Sequence, residues 1–287
     1  MIATPFDYRS ATSVEEAVRL LGGSPDAKVI AGGHSLLPLM KLGLAQPSLL
    51  VDIGRIAALR GVHQDGGITV GALTTHQALA DDASCRARLT ALSEAAAAVG
   101  DVQVRGRGTI GGSLAHADPG SDEQACVVAF DATLRAMGPK GDRAIAAGDF
   151  FKGALETALG RDEILISVRF PVPPARTGSA YAKFAHPASG FAVIGVAAVV
   201  TVAKDGKIER AAIGVTGAAD RPFRATAAER ALAGTKGDAA AIAAAAAKAG
   251  DGARLSSDLA ASAEFRSQLL TVYARQALGR ALEAATG

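Results

Sequence analysis

Two glycine pairs in this chain stand in segments whose composition suits the binding of an anion. The segment Ala-Gly-Gly-His-Ser at 31–35 follows a short apolar run, and Thr-Ile-Gly-Gly-Ser occupies 109–113. Glycine lets the backbone approach a ligand closely, and consecutive amides in a glycine turn converge on an anion. Each segment also supplies a hydroxyl side chain as a neutral donor. Because the two segments match in design, they predict that a diphosphate is held from both sides.

No other grouping of side chains predicts catalysis or metal binding. Neither glycine segment matches the P-loop or the dinucleotide-binding fingerprint of a Rossmann turn. The two cysteines, Cys85 and Cys126, form no Cys-x-x-Cys pair, so neither an iron–sulfur site nor a zinc site is encoded. We therefore expect no catalytic side chain and no metal on this chain. If the protein moves electrons, its carrier is an organic cofactor.

The composition disfavours several classes of function. The chain has 287 residues, of which 49% are hydrophobic and 4% aromatic, and its net charge is +2. Nucleic-acid binding is disfavoured because it requires clustered Lys and Arg together with stacking rings. No apolar run reaches the ~20 residues that a membrane-spanning helix needs, and the short β-branched run at 191–203 predicts a buried strand. The N-terminus shows no signal-peptide pattern.

The elements before and after the first glycine segment predict a small lobe. Ser13 and Glu16 have the spacing of a capping box, and the apolar positions that follow predict a helix ending at 22–23. Short strands are predicted at 28–30 and 49–53, so the first glycine segment leaves the end of a strand. This order is that of a βαβ-like lobe that closes near residue 57.

The second glycine segment lies in a longer region of mixed elements. The first four predicted elements of this region are a strand at 68–72, a helix at 88–99, a glycine loop at 109–113 and a helix at 123–130. Three strands follow, at 133–137, 143–146 and 164–170. Pro171, Pro173 and Pro174 then interrupt the pattern and indicate the main boundary.

The last third of the chain predicts strands followed by helices. The strands are expected at 180–185, 193–203 and 208–216, and the helices at 225–233, 238–249 and 264–284. Strands and helices segregated in this way indicate an α+β fold.

Five stretches of the sequence, taken in order, resemble one known family. They are AGGHSLLPLMKLGLAQPSLLVDI (31–53), VGALTTH (70–76), TIGGSLAHADPGSD (109–122), DEILISVRFP (162–171) and YAKFAHPASGFAVIGVAA (181–198). Together they resemble the FAD-binding medium subunit of the molybdenum hydroxylases, the family of aerobic carbon monoxide dehydrogenase and the xanthine dehydrogenases. The resemblance covers nearly the whole chain, whereas no single stretch is specific.

The resemblance implies the domain organisation. Residues 1–172 are expected to form an α+β FAD-binding fold of the PCMH-like kind, with subdomains at about 1–57 and 58–172. Residues 177–287 are expected to form a C-terminal domain like that of the carbon monoxide dehydrogenase flavoprotein, with a three-stranded antiparallel sheet and helices.

The resemblance also implies which residues bind the cofactor. It places the diphosphate of a noncovalently bound FAD between the two glycine segments, and covalent attachment through the histidine of the first segment is not expected. The residues of these segments are Ala31, Gly32, Gly33, His34, Ser35, Leu36, Thr109, Ile110, Gly111, Gly112 and Ser113.

Five further residues are implied as cofactor contacts, each with a structural alternative. Asp122 would accept hydrogen bonds from ribitol or ribose hydroxyls, or serve as an acid at a helix N-terminus. Ile164 and Leu165 would contact the flavin, or simply pack in the core. Lys183 would stabilise the anionic reduced ring, or face solvent. Phe191 would stack on the ring, or pack in a strand.

By the same resemblance, this FAD passes electrons from 2Fe–2S clusters on a small subunit to an external acceptor such as a quinone or NAD. A large subunit would carry the molybdenum cofactor, and the complex is expected to be a dimer of heterotrimers. We expect a cytoplasmic protein, associated with a membrane only peripherally through its acceptor. Two alternatives stay open: a stand-alone FAD-dependent oxidoreductase of the same fold, and an assembly subunit that has lost its flavin.

Overall fold

A computed structural model describes residues 3–287 and begins with a small parallel sheet. The first lobe contains strand β1 (Asp7–Ser10), helix α1 (Val14–Gly22), strand β2 (Lys28–Ile30), helix α2 (Leu36–Lys41) and strand β3 (Leu49–Asp52). The strands pair in the order β1-β3-β2, and both pairings are parallel. The Ser13 hydroxyl accepts from the Glu16 amide at 3.1 Å and so caps α1. The predicted βαβ-like lobe is therefore present.

A mostly antiparallel lobe follows after a short 3₁₀ turn at Ala57–Leu59. Its elements are β4 (Val62–Gln64), β5 (Ile68–Gly71), α3 (His76–Asp81), α4 (Ala83–Arg88), α5 (Thr90–Ala97), α6 (Val102–Arg107), α7 (Ile110–His116), α8 (Asp122–Ala129), β6 (Thr133–Gly138), β7 (Gly141–Ala146), α9 (Ala147–Phe150), β8 (Phe151–Gly153), β9 (Glu156–Thr157) and β10 (Ile164–Phe170). A five-stranded sheet has the order β4-β5-β10-β6-β7. Strand β10 lies at its centre, and its bounds are those of the strand predicted at 164–170.

Two local predictions in this lobe are wrong. The second glycine pair is not in a loop but in the first turn of α7, because the Thr109 hydroxyl accepts from the Gly112 amide and caps the helix. The helix predicted at 88–99 is divided, because Leu89 leaves the helical conformation at φ −126° and ψ 47°. Helix α4 ends before Leu89 and α5 begins after it.

The last part of the chain is a four-stranded antiparallel sheet with three helices. It contains β11 (Thr177–Ala185), β12 (Ala192–Val202), β13 (Ile208–Thr216), β14 (Phe223–Arg224), α10 (Thr226–Leu232), α11 (Ala239–Ala246) and α12 (Ala263–Thr286). The strands pair in sequence order. Three strands were predicted, and the fourth, β14, has only two residues and no alternating pattern that could reveal it.

The four-stranded C-terminal sheet is covered on both faces. Strand β12 is buried along its whole length, and alternate side chains point to opposite faces. Ala197 and Val199 join the core of the preceding lobe, where α5 and α8 pack, whereas Val196 and Ala198 join the core under α10, α11 and α12. The C-terminal sheet is therefore a layer shared between the two cores. No helix within residues 3–287 is long and apolar enough to cross a membrane.

Candidate cofactor-binding cleft

A large cleft opens between the first lobe and the second. Its volume is about 810 Å³, which is within the range of small-molecule and cofactor sites. The walls come from 25–47 of the first lobe, from stretches of the second lobe within 72–122 and 155–165, and from 189–191 in the β11–β12 connection. Three separate regions of the chain therefore build one site.

The first glycine segment enters the cleft with unused donors. Gly33 has φ +78°, a conformation that favours glycine, and it turns the chain from β2 into α2. The amides of Gly33, His34, Ser35 and Leu36 donate to no acceptor within residues 3–287, and the Ser35 side chain does not cap the helix. All four residues line the cleft. Several free amides at a helix start form an anion-binding site.

Gly32 allows the first glycine segment to pack against the backbone that precedes the second. A Cβ at this position would collide with the carbonyl oxygen of Arg107 and would lie 2.8 Å from the Cα of Gly108. No side chain fits there. The backbone before the second glycine segment therefore lies directly against the first.

The second glycine segment uses its amides inside the protein. Ile110 donates to the Thr74 carbonyl at 3.0 Å and Gly111 to the Ala72 carbonyl at 2.9 Å. Gly112 donates to the Thr109 hydroxyl, so it too has a partner. What α7 offers to the cleft is the bare surface of its two glycines and the Ser113 side chain, whose hydroxyl has no partner in the described chain. Ile110 itself is fully buried and does not line the cleft.

Asp122 is a buried acid in the cleft wall. It is only 4% exposed, and it accepts hydrogen bonds from the Tyr181 hydroxyl at 2.7 Å and from the Lys183 ammonium at 2.9 Å. Burial raises the pKa of Asp122 to about 6, although Lys183 and Tyr181 pull this pKa down. Since a carboxylate has about four acceptor sites, Asp122 can still accept from a ligand hydroxyl.

Lys183 lies behind this carboxylate, not in the cleft wall. Its ammonium is buried, pairs with Asp122 and also donates to the Ala98 carbonyl at 2.9 Å. Lys183 therefore affects the cleft indirectly, because its positive charge stabilises the ionised carboxylate of Asp122.

The remaining predicted residues line the cleft. Ile164 and Leu165 do so from the first residues of β10, and both are almost fully buried. Phe191 stands at the rim and is 46% exposed. With the exceptions of Ile110 and Lys183, every residue predicted to contact the cofactor lies in this one site.

The sequence reasoning missed a buried His–Glu pair in the same wall. The Nδ1 atom of His76 lies 2.7 Å from Oε1 of Glu123, and His76 lines the cleft. The two residues are 47 positions apart, so no local spacing announces the pair. Lys28 and His116 also line the cleft. His116 follows Ser113 by three residues on α7, and that helical spacing could have indicated it.

Two family models together cover almost the whole chain. Residues 4–173 match the FAD binding domain in molybdopterin dehydrogenase. Residues 179–281 match the CO dehydrogenase flavoprotein C-terminal domain.

Full-length relatives have the same organisation. The chain is 38% identical to the carbon monoxide dehydrogenase medium chain of Afipia carboxidovorans over 98% of each chain. It is also 38% identical to the 6-hydroxypseudooxynicotine dehydrogenase complex subunit alpha of Paenarthrobacter nicotinovorans, over 98% of this chain and 95% of the relative. The crystal structure of the cyanide-inactivated Cu,Mo-CO dehydrogenase superimposes with a TM-score of 0.95 at 38% identity, covering 99% of this chain and 100% of that one.

These similarities extend over the glycine segments, the cleft and the C-terminal sheet alike. In this family the molybdenum cofactor and the iron–sulfur clusters are carried by other subunits of a multisubunit enzyme. The chain belongs to the FAD-binding medium subunits of the molybdenum hydroxylases of the carbon monoxide dehydrogenase type.

Proposed function

We propose that this chain binds one FAD noncovalently in the cleft and relays electrons from 2Fe–2S clusters of a partner subunit to an external acceptor. The observation that carries the proposal is the row of four free amides at Gly33, His34, Ser35 and Leu36. These residues are half-buried or exposed, so water can reach their amides in the open cleft, and a diphosphate would replace that water with one charged acceptor for several donors together.

The other wall would hold the cofactor by close contact. The glycine surface of α7 leaves room for the diphosphate, and the Ser113 hydroxyl donates to it. Asp122 accepts from a sugar or ribitol hydroxyl while Tyr181 and Lys183 hold its carboxylate in place. FAD, when bound, supplies the redox chemistry. The chain itself binds, orients and shields the cofactor.

The flavin ring would lie at the end of the cleft where apolar residues converge. Ile164, Leu165 and the partly exposed Phe191 are apolar residues of the cleft wall that the ring would contact. In our proposal Lys183 does not contact the ring. It fixes the charge of Asp122, and the potential of the flavin responds to the pair.

The partners follow from the names of the relatives. The two relatives are named as a medium chain and as a subunit alpha of an enzyme complex. These names support a complex in which this chain has a large molybdenum subunit and a small 2Fe–2S subunit as partners. A dimer of heterotrimers, a quinone or NAD as acceptor and a cytoplasmic location complete the proposal. The two relatives share 38% identity with this chain but are named for different substrates, which favours substrate selection on another subunit.

Titration of the flavin-free full chain with FAD tests the binding step. We expect one FAD per chain, and acid precipitation should release all of it into the supernatant. Flavin that stays with the pellet would indicate a bond through His34 and contradict noncovalent binding.

The relay is tested on the complex with its partner subunits. A complex from which FAD has been removed should still reduce its iron–sulfur clusters with substrate but should pass no electrons to the acceptor until FAD is restored. Acceptor reduction without FAD would contradict the relay. Substrate turnover by this chain alone would favour the stand-alone oxidoreductase.

A further inference from the structure

His76 is a buried imidazole with one nitrogen held and the other free. The residue is 4% exposed and lines the cleft, and its Nδ1 is bound by the carboxylate of Glu123, which is fully buried. Its Nε2 has no hydrogen-bond partner within residues 3–287, yet it is not among the atoms sealed from solvent. Buried polar groups are normally satisfied. The free nitrogen is therefore available to a partner in the cleft, either water or a ligand.

The position of this nitrogen is defined by the two glycine segments. A Cβ on Gly108 would lie 2.8 Å from Nε2 of His76, and a Cβ on Gly32 would lie 2.8 Å from the Cα of Gly108. The His76 amide also donates to the Gly108 carbonyl at 3.1 Å. Nε2 thus lies beside the place where the first segment touches the backbone that leads into the second.

The cleft wall is short of positive charge for an anionic ligand. Its acids are Asp26, Asp122 and Glu163, whereas Lys28 is the one lysine or arginine that lines it in the described chain. Apart from Lys28 and the histidines of the wall, a diphosphate in this cleft would rest on neutral donors. A charged donor at the junction of the glycine segments would offset the anionic charge.

We propose that His76 is a cofactor-binding residue whose imidazolium Nε2–H donates to the diphosphate, and that Glu123 holds it in the charged form. This inference rests on the proposed binding of FAD and adds to it a residue that fixes how affinity depends on pH. The Nδ1–H donates to Glu123, so Nε2 is the nitrogen left for the ligand.

The charges around His76 support this protonation state. Burial by itself lowers the pKa of His76, but the charge and hydrogen bond of Glu123 outweigh it, and the pKa is raised. Asp122, beside Glu123 on α8, acts in the same direction, whereas Arg105 on α6 acts against it. A raised pKa means that the charged donor persists to a higher pH than in a free histidine and is lost as the pH rises through that pKa. FAD affinity should therefore fall on the alkaline side.

The experiment compares four forms of the full chain, with the dissociation constants of FAD and riboflavin measured from pH 6 to pH 9. Replacing His76 alone would leave the Glu123 carboxylate buried and unpaired, so the main variant is His76→Gln/Glu123→Gln. It keeps two hydrogen-bonding side chains at the site but removes both charges. His63→Gln is the control, because His63 is an exposed histidine outside the cleft. Thermal unfolding of each flavin-free form establishes that it is folded.

We expect wild-type FAD affinity to fall with rising pH and the double variant to bind FAD about 10- to 100-fold more weakly at pH 6, with a smaller fall of affinity between pH 7 and pH 9 than in the wild type. Riboflavin, which has no phosphate, should bind both forms equally. The single variant Glu123→Gln should keep the acidic-side affinity but shift the fall to lower pH.

Three results would overturn the inference: an FAD affinity unchanged in a folded double variant, an equal loss for riboflavin, or an unaltered pH dependence. Absence of FAD binding by the wild-type chain would instead refute the proposed function, so the two failures are distinguishable.

Discussion

The two glycine segments have nearly the same composition but opposite uses. In the first, Gly33 turns the chain from a strand into α2 and leaves four amides without acceptors. In the second, Thr109 caps α7 and the glycine amides are bonded inside the protein. One segment offers donors and the other offers a surface without side chains. Similar residues therefore do not imply similar chemistry, because a capping side chain and carbonyls from distant parts of the chain decide which backbone groups are left free.

The largest effect is expected at Gly111, where the comparison predicts a loss of stability rather than of binding alone. A Cβ there would lie 2.5 Å from the Cβ of Ala72 and 2.6 Å from its carbonyl oxygen. We expect Gly111→Ala to lower the free energy of unfolding of the flavin-free chain by about 2–3 kcal/mol, a fall in Tm on the order of 5–10 °C. Gly106→Ala is the control, since nothing lies within 4 Å of its Cβ position. A wild-type Tm for Gly111→Ala would contradict the tight packing of α7.

A change at Gly33 should affect binding much more than stability. The residue has φ +78°, and a side chain in that region costs about 1–2 kcal/mol, which the segment would relieve by turning its amides away. We expect Gly33→Ala to weaken FAD binding about 10- to 100-fold, measured by titration of the flavin-free chain. Gly43→Ala is matched in conformation at φ +75° but follows the other end of α2. Equal losses of affinity in both variants would show that the amides are not the determinant.

A change on the α8 side of the cleft should alter the flavin potential and leave most of the affinity intact. Removing the ammonium in Lys183→Met raises the pKa of Asp122 above about 6, so the carboxylate takes up a proton and much of the charge change cancels. The midpoint potential should therefore fall by less than about 30 mV, the equivalent of about 1.4 kcal/mol for two electrons. Spectroelectrochemistry checks this. A larger fall would mean that Lys183 acts on the ring directly.

The smallest effect separates the two hydroxyl groups. Ser113 is the main donor of the second segment, whereas Ser35 stands among four free amides. A hydrogen bond contributes a net free energy of about 0.5–1.5 kcal/mol. Ser113→Ala should therefore weaken FAD binding several-fold, whereas Ser35→Ala should weaken it by about twofold or less because the neighbouring amides remain. The ratio of the two dissociation constants is the measurement. A larger loss at Ser35 would reverse the assignment of donors.

Sequence patterns predicted the elements that are long and periodic. The strand Ile164–Phe170 and the helix Ala263–Thr286 lie where their apolar spacing places them. The break at Leu89 was not predictable because its apolar neighbours continue a helical pattern on both sides. The helix at the second glycine pair was missed because glycine is a poor helix former, and the contact with Ala72 that requires it is a tertiary one.

The sequence identified which segments line the site, but it did not show which of their backbone amides are free to bind a ligand. Family resemblance brought 31–36 and 109–113 together, and the structure places almost all of these residues in one cleft. Whether an amide is free depends on hydrogen bonds to Ala72 and Thr74, which lie far from Gly111 in the chain. The pairing of His76 with Glu123 and of Lys183 with Asp122 likewise requires the packing of distant elements.

The shared position of the C-terminal sheet limits how this chain can vary. Tyr181 and Lys183, which bind the Asp122 carboxylate, lie on β11 in the region matched by the C-terminal domain model. Asp122 itself lies on α8 in the region matched by the FAD-binding domain model. A chimera joined at the prolines between β10 and β11 would exchange the carboxylate without its supports. Relatives should therefore inherit the two domain regions as one unit, and both regions should unfold in a single cooperative transition. The cofactor cleft is in this sense a property of the interface between two modules, not of the FAD-binding module alone.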